Sequence, residues 1–388
     1  MPLSGLRVLD LSRLLPGPFC SLLLADLGAD VIKVEDPVGG DYVRWSPPLH
    51  GEYSAMYYTL NRNKRSIKLN LKSDEGREAL LKLSETADVV LETFRPGVMA
   101  RLGVGYDALR LRNRGIILCS ISGYGQDGPY RDRAGHDLNY MALGGALGIT
   151  GTADGRVAMP GVQVGDLGGG AMSAAIAILA ALQHRNQTGE GQHCDVSMLD
   201  GIVSWLSLHA GRFFEEGGVP GPGTLHLNGR HPCYNVYRCK DGWMSVGALE
   251  PKFWSALVTA LGLPHLETEA FAAGEASRRV HAEIEAVFLT RTRAEWAELF
   301  DGRDVCCEPV LTFAETFANE QVQHRGMVIP AGEGGPLPQT GFPFKLSATP
   351  PAVRRQAPGY GEHTREVLRE AGYDDTDIDA LISAGAVG

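Results

Sequence analysis

The 388-residue chain lacks the features that mark disulfide-bonded, zinc-binding or membrane-spanning proteins. It contains seven cysteines, an odd number, and none are spaced Cys-x-x-Cys, so neither a disulfide framework nor a structural zinc site is predicted. Its longest apolar stretch, 171–182, has 12 residues, whereas a membrane-spanning helix needs about 20. The first residues also lack the basic and apolar regions of a secretory signal. We therefore expect a cytoplasmic protein with reduced thiols, no bound metal and no membrane span.

Positive charge is in the minority, with 36 lysines and arginines against 46 aspartates and glutamates, a net charge of −10. An acidic chain is poorly suited to bind nucleic acid, and none is expected as a partner. Hydrophobic residues make up 44% of the chain and charged residues 21%, so the chain has enough apolar surface to fold around a core.

Several common catalytic motifs are absent, including G-x-S-x-G, H-E-x-x-H and the P-loop. The first strand–helix turn lacks G-x-G-x-x-G, which disfavours NAD binding there. The segment 123–128, GYGQDG, matches that motif literally and follows a strand, but PYRDR comes next. A dinucleotide loop must open a helix, because the helix N-terminus holds the diphosphate. We interpret this segment, with Gly125, as a loop whose backbone a ligand approaches closely.

Short apolar strands alternate with helical segments in the first half of the chain. This alternation predicts an α/β fold, a large Rossmann-like domain with a mainly parallel sheet. The Gly/Pro-rich segment 217–229 is typical of a linker, and Asp241-Gly242 between apolar strands predicts a hairpin. The predicted domains are a large CoA-binding domain that begins with 1–216, a small α+β domain over 217–330, and a segment over 331–388 that returns to the large domain.

Asp166 precedes the strongest predicted helix of the chain, in GDLGGG. An aspartate there is commonly an N-cap, stabilised by free backbone N–H groups. Three glycines, Gly168–Gly170, exceed what a cap needs, and we expect them to leave a hole beside the carboxylate that suits a ligand. His136, in GHDLNY, is structural on the simplest interpretation, and it is catalytic only if a second acid–base group faces it.

Cations are concentrated in two segments of this acidic chain. Segment 61–65, NRNKR, carries Arg62, Lys64 and Arg65, and Arg95 and Arg101 follow in RPGVMAR. Such clusters are either solvated faces or binding sites for phosphate groups.

Taken together, ordered motifs along nearly the whole chain resemble the family III CoA-transferase and α-methylacyl-CoA racemase superfamily. They are LRVLDL (6–11), LGADVIKVE (27–35), NRNKRSI (61–67), RPGVMARLGVGY (95–106), SGYGQDGP (122–129), GEGQHCD (189–195) and GEHT (361–364). The racemase branch is similar in three further segments, GHDLNY (135–140), GDLGGG (165–170) and EPKF (250–253).

The resemblance implies an α-methylacyl-CoA racemase, an isomerase of lipid metabolism that interconverts (2R)- and (2S)-2-methylacyl-CoA thioesters through an enolate. His136 and Asp166 then exchange the α-proton, Glu250 orients His136, and the Asp137 N–H receives the enolate oxygen. The predicted CoA contacts are Arg62, Lys64, Arg65, Arg95, Arg101, Gly125 and Tyr140. CoA is part of the substrate, so no separate cofactor is expected.

The resemblance also implies an interlocked homodimer, with each site between the large domain of one copy and the small domain of the other. Glu250 then acts either within its own chain or across the dimer.

Two alternatives stay open. In the transferase branch, Asp166 is a nucleophile that forms acyl anhydride intermediates while CoA passes to a carboxylic acid, and segment 41–67 looks more like that branch. Racemases carry an arginine where this chain has Asp36, so no CoA contact is assigned there. A binding protein without activity would lack site residues, whereas His136, Asp166 and Glu250 are all present.

Overall fold

The computed structural model describes all residues 1–388, and the chain forms two compact units. The first comprises Met1–Gly144, Val162–Trp205 and Glu320–Gly388, and the second comprises Gly145–Gly161 and Leu206–Asn319. These bounds differ from the predicted ones at 217 and 331, and segment 145–161 belongs to the second unit. The reason is local: Asn228 Nδ2 donates to the Ile149 carbonyl at 3.1 Å, so the segment is tied to the Gly/Pro-rich stretch.

The first unit is built on a six-stranded, all-parallel sheet. Its strands are β1 (Arg7–Asp10), β2 (Asp30–Glu35), β3 (Lys64–Lys68), β4 (Val89–Glu92), β5 (Ile117–Ser122) and β6 (His193–Ser197). Their order across the sheet is β3-β2-β1-β4-β5-β6. The parallel α/β prediction is confirmed, and strand order changes direction between β1 and β4.

Both faces of this sheet are buried, as a parallel sheet requires. Side chains alternate along each strand, so neighbouring residues enter different cores. Val8 and Val89 pack on one face with the first helix and the long helix that begins at Gly165. Leu9 and Val90 pack on the other face. The strands are continuously apolar in the sequence because both faces of the sheet are covered by packed side chains.

The α-helices of the chain are, in order, α1 (Pro16–Asp26), α2 (Ala55–Asn61), α3 (Asp74–Ser84), α4 (Val98–Arg101), α5 (Tyr106–Arg112), α6 (Asp137–Leu143), α7 (Gly165–Thr188), α8 (Met198–Trp205), α9 (Ser207–Glu216), α10 (Pro251–Ala260), α11 (Gly274–Phe288), α12 (Arg293–Phe300), α13 (Phe313–Ala318), α14 (Glu320–His324), α15 (Thr364–Glu370) and α16 (Asp375–Ser383). Short 3₁₀ turns occupy Tyr42–Trp45, Leu147–Ile149 and Pro264–Leu266, and two-residue strand pairs join Leu49–His50 to Tyr53–Ser54 and Val328–Ile329 to Gln339–Thr340.

Helix α7 differs from the others in its first two turns. Gly165–Met172 is π-helical, and the α-helical part follows over Ser173–Thr188. By length and composition alone α7 could cross a membrane, but just over half of its most apolar window is buried within the protein. Ala171, Ala174 and Ile178 belong to the core under the sheet. Wider π-turns are commonly found at functional sites.

The second unit contains a three-stranded antiparallel sheet. Strands β7 (Tyr234–Cys239) and β8 (Gly242–Gly247) form the predicted hairpin, and β9 (Cys307–Pro309) pairs with the other edge of β8. Trp254, Ile284 and Phe288 lie in its core. Since these side chains come from helices α10 and α11, the unit is an α+β layer with its own apolar interior.

Candidate functional site

The carboxyl ends of the parallel strands surround a pocket of about 560 Å³ within the first unit. Residues that follow four different strands line it: Arg13 after β1, Arg95 after β4, Gly123 after β5 and Met198 after β6. Strands β1 and β4 are the pair at which the strand order reverses. Connections leave such a pair in opposite directions and open a crevice, which is the usual ligand site of α/β sheets.

His136 and Asp166 both line this pocket. His136 is the residue before helix α6, is exposed, and its backbone N–H donates to Asn139 Oδ1 at 3.0 Å. Asp166 is a partly buried residue in the first turn of α7. Two helix starts therefore bring an imidazole and a carboxyl group to one cavity, although they are 30 positions apart in the chain.

Asp137 ties these two helix starts together. Its Oδ1 accepts a hydrogen bond from the backbone N–H of Asp166 at 3.0 Å. Burial raises the pKa of Asp166, the nearby Asp137 carboxylate acts in the same direction, and His136 opposes both, which leaves this pKa at about 6. Burial favours the neutral form of a carboxyl group, and a neighbouring negative charge acts in the same direction. Asp166 therefore titrates close to neutral pH.

Neighbouring atoms fill the space beside the glycines that follow Asp166. The predicted hole beside the carboxylate is therefore absent. A side chain at Gly168 would overlap the Trp205 ring, and one at Gly170 would meet Met198. At Gly169 the backbone of helix α8 approaches so closely that the opposing residue, Gly201, also has no room for a Cβ atom. These glycines permit close packing of α7 on α8, which fixes the start of α7.

Tyr140 and Gly125 have different relations to the pocket. The Tyr140 ring lines it, and its hydroxyl donates to the Gly135 carbonyl at 2.5 Å. Burial raises the Tyr140 pKa to about 12, so the phenol stays protonated at neutral pH. Gly125 is outside the lining: its N–H donates to Ser122 Oγ at 3.0 Å. It shapes the loop, whereas Gly123 is the glycine that lines the cavity.

The structure does not bring Arg62, Lys64 and Arg65 to the pocket, which corrects their expected role as phosphate contacts. Arg62 pairs with Asp26 at 2.6 Å, and both side chains are almost fully buried. Lys64 Nζ, fully buried, donates to the Pro18 carbonyl and to Asn61 Oδ1, each at 3.0 Å. Arg65 bonds three carboxylates, those of Asp30, Glu366 and Glu370. Their charges are already balanced inside the protein.

Four other arginines line the pocket: Arg13, Arg95, Arg131 and Arg133. Only Arg95 was among the predicted contacts. Arg101 lies at the margin, since its guanidinium and that of Arg131 both approach Gly97. None of the four forms an ion pair with a carboxylate of this chain. Arg13 could have been found from sequence, because it comes directly after the first strand, where parallel strands place ligand contacts.

Beside the pocket lies a smaller, mainly apolar slot of about 190 Å³. Leu69, Leu71 and Val98 line it together with Glu35, Asp36 and Lys72, and Lys72 Nζ lies 3.9 Å from Asp36 Oδ2. Arg13 and Phe94 line both cavities, so the slot and the pocket meet at these two side chains.

Glu250 belongs to the second unit. It precedes helix α10, where its carbonyl accepts from the Phe253 and Trp254 N–H groups, and its side chain is exposed. His136 and Asp166 belong to the first unit, so the role of Glu250 stays a prediction.

Comparisons with known proteins agree with this geometry. Residues 3–364 match the family model described as CoA-transferase family III. The chain is 37% identical to the mouse α-methylacyl-CoA racemase over 384 residues, covering 97% of this chain and 95% of the relative. It is 36% identical to the human succinyl-CoA:glutarate CoA-transferase over 405 residues, covering 100% and 90%.

A solved structure is also similar. The crystal structure of a CAIB/BAIF family protein from Brucella suis superposes with a TM-score of 0.84 at 34% identity, covering 96% of this chain and 99% of that one. The match therefore includes both units and the strand ends that line the pocket. With the family model, the relatives and this structure in agreement, the chain is an enzyme of CoA-transferase family III.

Proposed function

We propose that the protein is an α-methylacyl-CoA racemase, which interconverts the (2R) and (2S) forms of a 2-methyl-branched acyl-CoA. The observation that carries this proposal is the presence of His136 and Asp166 in one pocket. Inverting a carbon centre through a planar enolate requires one group to remove the proton and another to return it on the opposite face.

The two groups differ in kind, which suits this exchange. In one direction neutral His136 removes the proton and protonated Asp166 returns one, and in the other direction carboxylate and imidazolium act. The pKa of Asp166, raised to about 6 by burial, makes both of its forms accessible near neutral pH. Because the two groups interact, the pH profile belongs to the pair rather than to either residue.

The enolate oxygen needs a hydrogen-bond donor. The Asp137 N–H lies in the first turn of helix α6, where no helical carbonyl is available to accept from it. A donor so placed contributes roughly 3 kcal/mol to an oxyanion transition state. The Asp137 side chain bonds Asp166 N, so this one residue both supports the catalytic acid and presents the donor.

The four pocket arginines and the slot fit the remaining parts of CoA. Free guanidinium groups at Arg13, Arg95 and Arg131 suit the diphosphate. The mainly apolar slot beside Phe94 suits the adenine ring. This arrangement leaves the thioester in the pocket of His136 and Asp166.

The second candidate is a CoA-transferase in which Asp166 attacks the thioester. It is favoured by relatives of equal similarity, including the Haloarcula marismortui succinyl-CoA:mesaconate CoA-transferase at 38% identity over 391 residues. That chemistry needs ionised Asp166 and no acid–base role for His136, whereas the racemase needs both residues.

Deuterium exchange separates the two chemistries. A (2R)-2-methylacyl-CoA incubated in D₂O is expected to gain deuterium at C2 and lose optical purity without any added acid. Transfer of CoA to succinate, with the C2 proton retained, would establish the transferase instead.

Two variants then test which residue acts on each face of the enolate. With His136→Ala and Asp166→Asn, full racemisation is expected to be lost while CoA binding is kept. Each variant is expected to wash out the proton of one enantiomer only, since one base remains. Racemisation by His136→Ala at the normal rate would remove His136 from the mechanism.

We also propose the homodimer. Sedimentation at micromolar concentration is expected to show twice the 41.7 kDa chain mass, and a single-chain mass would contradict it.

A further inference from the structure

A buried carboxyl group holds the pocket loop that follows β4. Glu92 is the last residue of β4 and is only 3% exposed. Its Oε2 accepts a hydrogen bond from the Phe94 N–H at 2.6 Å. Thr93, Phe94 and Arg95 all line the pocket. The loop that carries Arg95 is therefore fastened to the sheet through one carboxylate oxygen.

The neighbouring strand supplies a polar side chain next to this carboxyl group. Ser120 on β5 is paired in register with Glu92, and its side chain lowers the pKa of Glu92. Ser120 Oγ is 2.9 Å from His193 Nε2 on β6. The His193 ring is exposed and stacks on Tyr106 at 5.8 Å between ring centroids.

No cation balances Glu92. The groups that interact with it are Ser120 and Cys119 on β5 and Asp195 on β6. Burial raises the pKa of Glu92, the charge of Asp195 acts in the same direction, and Ser120 and the Phe94 N–H oppose both, which leaves this pKa at about 7. Burial lowers the pKa of His193, against the pull of Asp195.

We propose that Glu92 is a positioning residue whose ionised form holds the Arg95 loop in its CoA-binding position. The proposal rests on the placement of CoA at Arg95 proposed above. Ionised Glu92 accepts strongly from Phe94 N–H, whereas the neutral acid accepts weakly, because hydrogen bonds to charged acceptors are about twice as strong.

Amide hydrogen exchange of Phe94 in the ligand-free protein tests this role. The protection factor, which is corrected for the intrinsic pH dependence of exchange, is expected to fall about tenfold between pH 8 and pH 6. In Glu92→Gln, whose amide oxygen still accepts but does not titrate, protection is expected to be the same at both pH values. In Ser120→Ala, the midpoint is expected to move to higher pH, because the Ser120 hydrogen bond lowers the pKa of Glu92.

The affinity for 3′-dephospho-CoA, measured by calorimetry over the same range, tests the link to binding. This probe lacks the 3′-phosphate, whose second ionisation near pH 6 would add its own pH dependence. The wild type is expected to bind several-fold more tightly at pH 8 than at pH 6, and Glu92→Gln is expected to lose that difference.

An unchanged pH dependence of Phe94 protection in Glu92→Gln would overturn the positioning role. If the protection of the Phe94 amide depends on pH but the affinity for 3′-dephospho-CoA does not, the link to CoA binding would be overturned. Neither result depends on turnover, so both are distinct from a failure of the racemase proposal, which is decided by deuterium exchange.

Discussion

Two groups of basic residues in this protein have similar chemistry and opposite surroundings. Arg62, in the NRNKR segment, lies beside Asp26 with both side chains about 2% exposed. Arg95, in the loop after β4, is exposed in the pocket and forms no ion pair. From the sequence alone, Arg62 and Arg95 were both predicted to contact phosphate groups.

The difference between them lies in which carboxylates the fold brings near. Strand β3, which carries Lys64 and Arg65, lies beside β2, so that acids from distant segments reach these cations. The arginines that line the pocket at the strand ends form no ion pair. A cation is available to a ligand when the fold leaves it without an internal partner, and sequence proximity to other cations does not decide this.

Removing a buried ion-pair partner is expected to give the largest effect on stability. Arg62→Met leaves Asp26 buried without its cation, which costs about 3–5 kcal/mol of unfolding free energy. Denaturant unfolding measures this loss. Arg112→Met is the matched control, because Arg112 pairs with Glu78 and Glu85 at the exposed surface, and its loss is expected to be much smaller. Equal losses would show that burial does not distinguish the two pairs.

Reversing the charge of a pocket arginine is expected to act on binding instead. Arg95→Glu should weaken CoA binding by more than tenfold, because a repulsive carboxylate replaces a phosphate contact, while unfolding free energy changes by less than about 0.5 kcal/mol. Calorimetry with CoA measures the affinity. Arg238→Glu, an exposed arginine of the second unit without an ion pair, should leave it unchanged. If the two variants bind CoA alike, the phosphates lie elsewhere.

The smallest expected effect is on the pH dependence of stability, and it comes from Asp166, a carboxyl group without a cation partner. Burial and Asp137 raise the pKa of Asp166 to about 6, above its ordinary value, so the folded protein favours the protonated form. Stability from this group is complete at low pH and declines as pH rises through 6. Asp166→Asn removes that decline. The variant should match the wild type at pH 4 and exceed it by about 1 kcal/mol at pH 8, after allowance for partial solvent exposure.

Unfolding at the two pH values measures this difference. A variant that is less stable than the wild type at pH 8 would mean that the ionised carboxylate is stabilised in the fold.

Much of the fold could be predicted because hydrophobic periodicity and turn residues are local. The alternation of parallel strands with helices and the hairpin at Asp241-Gly242 both occur as expected. Strand β6 is hard to predict because its first residues are exposed and polar, so it lacks an apolar pattern. Strand β9 is only three residues long.

The candidate site was predictable to a smaller extent. His136 and Asp166 were chosen from motifs, and the structure places them in one pocket. Arg131 and Arg133 were missed because nothing local marks a residue as lacking a partner, whereas the position of Arg13 after the first strand could have marked it. The glycines after Asp166 were misinterpreted for a related reason. Gly169 packs closely against Gly201, which lies more than 30 residues further along the chain.

The sequence by itself determined the elements of this protein, the family, and the residue types of the proposed acid–base pair, since these depend on residue type and local spacing. Only the tertiary structure decided which charges are free. It buried Arg62 against Asp26, left Arg95 open, and partly buried Asp166 beside Asp137 so that the carboxyl group titrates near neutral pH. The physical reason is that desolvation and Coulomb interactions act between atoms close in space, and strand order, rather than position in the chain, brings those atoms together.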